Sequence, residues 1–149
     1  GPRQSTRAII PTIITQALSG ASTIRLGATS PRRDFTYVSD TVDGLIAVAE
    51  CDAAEGQTVN LGSGTEISIG DLATRILKTT AKTAGITADS RRVRPAESEV
   101  DRLVCDNSTA ARLCGWKPVV SLDEGLRRTV EWFAVPENLS KYRTDEYGI

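Results

Sequence analysis

Four stretches place apolar residues at helical spacing, with short β-type runs and turns between them. Ile9, Ile10, Ile13, Ile14, Ala17 and Leu18 mark one face of a first helix. Pro11 is compatible with it only in the first turn, where a missing N–H costs nothing, and Gly20 is a suitable stop. Thr23 to Leu26 alternates like a strand, and 27–31 reads as a turn. Val42, Leu45, Ile46 and Ala49 give the second helix, which Ser39 or Asp40 can cap and which ends near Cys51. After a turn at 52–57, Thr58 to Leu61 is a short β-type run followed by Gly62-Ser63-Gly64. Ser68 with Asp71 forms a capping box for a third helix, whose inner face is Ile69, Leu72, Ala73, Ile76 and Leu77. Ala88 to Val93 is expected to be a strand and 94–99 a polar loop. Asp106-Asn107-Ser108 caps a short helix from Thr109 to Leu113, which Gly115-Trp116 ends. Ser121 to Glu124 is a second capping box, opening a helix with Leu122, Leu126, Thr129, Val130 and Phe133 inward. Both tryptophans, Trp116 and Trp132, read as packing residues, and 136–149 as a polar surface wrap. Short strands alternating with helices give an α/β class.

Composition narrows the chemistry. The 149 residues suit one domain, and 40% hydrophobic with 25% charged residues is a globular balance. A net charge of −1 gives no argument for nucleic acid or an anionic membrane as partner. No apolar run approaches the roughly 20 residues of a spanning helix, and the N-terminus does not read as a signal peptide. The absence of histidine removes His-based triads and His metal sites. Cys51, Cys105 and Cys114 form no CxxC pair, so they read as buried or free thiols in a reducing, cytoplasmic setting without structural zinc.

The stretch with most chemical content is 32–40, Arg-Arg-Asp-Phe-Thr-Tyr-Val-Ser-Asp. A guanidinium held ahead of a short strand suits a phosphate, because its planar fork donates paired hydrogen bonds and stays charged. The competing reading is an Arg33–Asp34 or Arg32–Asp40 ion pair on a solvated turn. The first turn of helix one, with Arg3 and Arg7 nearby, is another place for an anion. Arg91, Arg92 and Arg94 are crowded together and read on their own as a solvated face. Strand, Gly62-Ser63-Gly64 and helix suggest a dinucleotide loop, but the third glycine position is Ile67 and the glycines precede the helix by several residues. The glycines therefore read as a turn. Asn60 is either a strand-end amide for a base or ribose, or a turn residue bonding its own backbone.

Taken together, GPRQ at 1–4, AIIPTIITQALSG at 8–20, IRLG at 24–27, RRDFTYVSDTVDGL at 32–45, TVNLGSG at 58–64, RP at 94–95, DNSTAARLCGWKP at 106–118 and SLDEGLRRTVEWF at 121–133 resemble the C-terminal part of the extended short-chain dehydrogenase/reductases. The closer likeness is to NAD-dependent nucleotide-sugar 4,6-dehydratases and 4-epimerases. ENLSKY at 137–142 and the terminal EYGI resemble dehydratases acting on nucleotide-linked N-acetylglucosamine.

The resemblance implies a single substrate-binding domain over 1–149, truncated at Gly1, with the Rossmann-type NAD-binding half absent. No tyrosine has a lysine four residues on: Tyr37 is followed by Thr41 and Tyr142 by Glu146. No catalytic residue is therefore expected in this chain. NAD belongs to the intact family and is not expected to bind this chain alone. Site residues carried over by the resemblance are Arg33 and Arg94 on the diphosphate and Asn60 near the nucleotide. Ala8 and Ile9 line the nucleotide site, and Ile24 and Leu26 pack on the base. The ligand implied is a nucleotide-diphosphate sugar. The family pattern is broken at Ala28-Thr29-Ser30-Pro31 and at Ala96-Glu97, where glycine-rich and Gly-Asp sequences are usual. Two other readings accompany the dehydratase half: the substrate half of a UDP-sugar 4-epimerase, and a non-catalytic binding module or folded remnant. The remnant would associate as a homodimer or by strand exchange, with Thr58 to Leu61 as its orphan strand.

Overall fold

A computed structural model describes residues 1–92 and 100–142. The elements run α1 (Ile9–Leu18), β1 (Thr23–Leu26), β2 (Arg32–Arg33), α2 (Val38–Ala49), β3 (Ile67–Ser68), α3 (Ile69–Thr79), β4 (Gly85–Ala88), β5 (Arg102–Leu103), α4 (Ser108–Cys114), α5 (Leu122–Ala134) and α6 (Pro136–Leu139). Short 3₁₀ turns lie at Asp52–Ala54 and Ser90–Arg92. The α/β class is as predicted. β1 pairs with β4 in parallel, and β2 lies between antiparallel β3 and parallel β5.

The main core is built where the predicted stripes meet. Ile13, Ile14 and Ala17 of α1 pack with Ile24 and Leu26 of β1, Leu72, Ala73 and Ile76 of α3, and Leu126 and Phe133 of α5. Pro11 is the third helical residue, inside the first turn as required. Both capping boxes form: Ser68 Oγ accepts from Asp71 N at 3.0 Å, and Ser121 Oγ from Glu124 N at 3.3 Å. Gln16 closes the free edge of β1. The carbonyls of Ser22 and Leu26 face β4, accepting from Gly85 N and Asp89 N, so the polar groups of Arg25 face the other way. The buried amide of Gln16 meets them, accepting from Arg25 N at 2.9 Å and donating to Arg25 O at 3.3 Å. The C-terminal part of α1 is thereby fixed beside β1.

Several expectations are corrected. Thr58 to Leu61 is not a strand, because no described segment pairs with it, and a β-prone run without a partner stays irregular. The strand expected at 88–93 lies earlier, at Gly85–Ala88. Its register is fixed by the four residues of β1, and Asp89 then accepts from Arg91 N at 3.1 Å to turn the chain. Val93 lies outside the described residues. Asp40 does not cap α2, which starts at Val38 with Tyr37 as its N-cap. It sits inside the first turn, 1% exposed, and accepts from Val119 N at 3.1 Å and Val120 N at 2.9 Å. The indole of Trp116 donates to Asp40 O at 3.1 Å. Gly44 leaves room for it, since a Cβ there would lie 2.9 Å from the ring. α2 buries only Asp40 and Gly44, and its apolar stripe of Val38, Val42, Leu45 and Ile46 is 47–60% exposed. α6 forms after Pro136, and Tyr142 packs on Phe133 and Trp132.

Asp40 joins α2 to the chain ahead of α5 across the fold. Asp40→Ala leaves two half-buried backbone N–H groups without their acceptor. It is expected to lower the unfolding free energy by about 3 kcal/mol. Urea titration checks this, and an unchanged midpoint would refute the role given to the carboxylate.

Candidate nucleotide-binding site

The local framework of the site is a carboxylate held by the chain itself. Asp34 accepts from Ser63 N at 3.0 Å, Ser63 Oγ at 2.5 Å, Gly64 N at 2.9 Å and Cys105 N at 3.2 Å. Gly62-Ser63-Gly64 is therefore a turn, as read from the sequence, and the anion it wraps is internal. A Cβ at Gly62 would lie 2.3 Å from Cys105 Cβ, and Gly64 has φ +73°, so both need glycine. Asn107 donates to Gly62 O at 2.9 Å and holds the same turn from α4. Burial pushes the Cys105 thiol up, and the charges of Asp34 and Asp106 add to this. The Arg33–Asp34 ion pair considered from sequence is replaced by this cage.

Neighbouring arginines are given different roles by strand geometry. Arg32 turns to Glu66, donating from Nε at 2.8 Å, and Arg102 of β5 donates to the other carboxylate oxygen at 2.6 Å. The Arg32–Asp40 pair is thus also ruled out. Arg33 lines a cavity of about 240 Å³. Arg7, Ala8, Ile9 and Thr12 form one wall of it, at the start of α1. Leu26, Gly27, Ala28 and Pro31 form another. Phe35, Ile69 and Arg92 complete it. No side chain caps α1 and its first turn holds no acid, so its positive end opens toward three guanidinium-bearing residues. None of the described lining side chains is acidic. Apolar walls with cations at a helix start suit a ligand with an apolar body and a multiply charged anionic group. A second cavity of about 470 Å³ lies beyond Arg33 and Phe35, against Glu66, Asp71, Thr74 and Arg75.

Of the expected site residues, Ala8, Ile9, Leu26 and Arg33 converge on the first cavity. Ile24 is fully buried in the core and does not line it, and Asn60 is exposed in the irregular segment away from it. Arg94 lies outside the described residues. Sequence reasoning passed over Phe35, Ile69 and Arg92. Phe35 had a usable signal, being two residues from Arg33 in extended chain and so on the same side. Arg91 and Arg92 had none: the side chain of Arg91 is 77% exposed against Asp89, whereas that of Arg92 is 13% exposed. Among the described residues no cluster of His, Cys, Asp or Glu is able to hold a metal ion. No helix among them is long and apolar enough to cross a membrane.

The fold recurs in known proteins. A family model described as GDP-mannose 4,6 dehydratase matches residues 1–129, and the chain belongs to that NAD-dependent epimerase/dehydratase family. It is 35% identical over 136 residues to UDP-glucose 4-epimerase of Mycolicibacterium smegmatis, covering 89% of this chain and 42% of that protein. The solved epimerase Mth375 of Methanothermobacter thermautotrophicus superposes with TM-score 0.80 at 34% identity, over 90% of this chain and 39% of its own. UDP-glucuronic acid 4-epimerase of Bacillus cereus, solved with UDP-glucuronic acid and NAD, superposes at 0.78 with 28% identity, over 89% and 41%. The chain spans about two fifths of these relatives.

The Glu66 bridge ties β2, β5 and the start of β3 together and makes a pH prediction. Hydrogen bonds from Arg102, then Arg32, hold its carboxyl below the usual carboxylate range. The folded value lies below the unfolded one. The bridge therefore stabilises above the ordinary carboxylate range and is lost as pH falls through the lowered value. Between about pH 5 and about pH 3 the wild type is expected to lose more stability than Glu66→Gln, in which other carboxylates titrate equally. Parallel denaturation curves would contradict this.

Proposed function

We propose that residues 1–149 act as the nucleotide-sugar-binding domain of an NAD-dependent sugar-nucleotide 4,6-dehydratase, cytoplasmic and acting on UDP- or GDP-linked N-acetylglucosamine. The observation that carries this reading is the cavity in which Arg33, Arg7 and Arg92 surround the uncapped start of α1 above apolar walls. The family match and the dehydratase-like tail support it. The base and ribose pack against Ala8, Ile9 and Leu26. Arg33 takes the diphosphate, and the family resemblance gives the same role to Arg94, which lies outside the described residues. A diphosphate needs such paired cations, because desolvating it without them is costly. The domain's contribution is positional: it holds the phosphates so that the sugar carbon is presented in one orientation.

The described residues do not fit NAD, since the Gly62-Ser63-Gly64 turn grips Asp34 and no tyrosine is paired with a lysine. In relatives bound to NAD, the cofactor supplies hydride transfer. No step in this chain runs through it, and the chain alone is expected to bind without turnover. Epimerase relatives favour a second reading, the substrate half of a UDP-sugar 4-epimerase, with the same binding role.

Calorimetric titration with UDP, GDP, dTDP and their N-acetylglucosamine conjugates tests this. Saturable binding to one series is expected, weakened at least about tenfold by Arg33→Ala, while added NAD stays oxidised. No binding to any, or NAD reduction by the pure chain, overturns the proposal.

The exposed stripe of α2 favours one further property. Val38, Val42, Leu45 and Ile46 form a continuous apolar face, and in isolation the chain is proposed to self-associate as a homodimer through it. Sedimentation is expected to show concentration-dependent dimers that Leu45→Glu converts to monomers. A wild-type monomer at high concentration would exclude the association.

A further inference from the structure

Two of the three cysteines come close together across the fold. Cys51 follows α2 and leads the Asp52–Ala54 turn, and Cys114 is the last residue of α4. The Cys51 thiol donates to the carbonyl of Leu113, next to Cys114, at 3.2 Å. Both thiols are free and partly exposed. The carbonyl that Cys51 meets belongs to the residue before Cys114, so the two cysteines are near neighbours; burial raises the Cys114 thiol, and a hydrogen bond and charge from Cys51 raise it further. Cys105 is elsewhere, packed against Gly62 beside the Asp34 cage.

The place of this pair matters. α2 and α4 contribute no residue to the main hydrophobic core. α2 buries Asp40 and Gly44, and α4 buries Ala110. The two helices form a thin layer held by the Asp40 carboxylate, Trp116 and a few small residues. Such a layer has few apolar contacts to lose and opens before the core does. A bond between the end of α2 and the end of α4 acts on that layer more than on anything else in the molecule.

We propose that Cys51 and Cys114 form a redox-sensitive staple, closed by a low-molecular-weight disulfide into an intramolecular disulfide that fixes α2 to α4. One thiolate attacks a sulfur of the reagent disulfide, forming a mixed disulfide and releasing one reagent thiolate, which takes a proton from water. The other protein thiol gives its proton to solvent, attacks the mixed disulfide at the protein sulfur and releases the second reagent thiol. The two protein sulfurs are oxidised by two electrons, and the reagent disulfide is reduced to two thiols. The hydrogen bond from Cys51 to Leu113 is lost in exchange. Because the Cys114 thiolate is scarce at neutral pH, closure accelerates as pH rises. Helix α2 begins five residues after Arg33, so the staple restrains the segment that leaves the binding cavity.

The reduced 149-residue chain is incubated with oxidised glutathione at mildly alkaline pH and digested without reductant. The expected product is one cross-linked peptide pair containing Cys51 and Cys114, with loss of two hydrogens from the intact chain and no retained glutathione. Cys105→Ser is expected to give the same product. Hydrogen exchange is expected to slow in 38–51 and 108–116 and to stay unchanged in α1 and α3. Stable glutathione adducts without the cross-link, a link to Cys105, or no reaction in the wild type would each overturn the proposal. So would a cross-link that leaves exchange in α2 and α4 unaltered.

Discussion

The position of Arg33 depends on its neighbour, Asp34. Four donors converge on that carboxylate, three from the Gly62–Gly64 turn and one from Cys105. A carboxylate taken from water needs such a complement, and here it is met almost entirely by backbone N–H groups and one hydroxyl. The result ties β2 to two distant segments at once. β2 has only two residues and could not hold its place by ladder hydrogen bonds alone. The cage and the Arg32–Glu66–Arg102 bridge do this for it, leaving Arg33 on the cavity wall.

The molecule is built as a well-packed core and a thinner layer joined by polar links. α1, β1, α3 and α5 share the core and place the first turn of α1 beside Leu26. α2 and α4 lie outside it and are joined to the rest through Asp40, Trp116 and Asn107. Buried polar groups satisfied by specific partners fix one arrangement where apolar area is too small to do so. The uncovered stripe of α2 is the counterpart of this economy. It is a helix face of the type that elsewhere in the chain is buried.

The binding reading follows from how charge is distributed. Glu66 neutralises Arg32 and Arg102, and Asp89 pairs with Arg91 and Arg92; Arg7, Arg33 and Arg92 line the cavity at the positive end of α1. Membership of an epimerase/dehydratase family supports the proposed nucleotide-sugar occupant. The chain spans about two fifths of these relatives.

Periodicity and capping are local, and what they encode was legible. The stripes of α1, α3 and α5, both serine capping boxes, Pro11 in a first turn and the strand at 23–26 all follow from residues within a few positions of one another. The family motifs named the cavity residues Ala8, Ile9, Leu26 and Arg33 for the same reason, being short ordered strings. Tertiary structure alone decided the rest. Thr58 to Leu61 has strand composition and no partner among the described residues, and α2 has a buried-type stripe that none of them covers. Asp40 looked like a cap because its true partners, Val119 and Val120, are 79 and 80 positions away. Asp34 looked like half of an ion pair because its donors lie 29 to 71 positions away. Arg91 and Arg92 are the same residue side by side, and only the turn that aims one at solvent and the other at the cavity separates them. Sequence fixes what each segment can form by itself. Which polar group meets which, and which face is covered, depends on contacts that close only when distant segments come together.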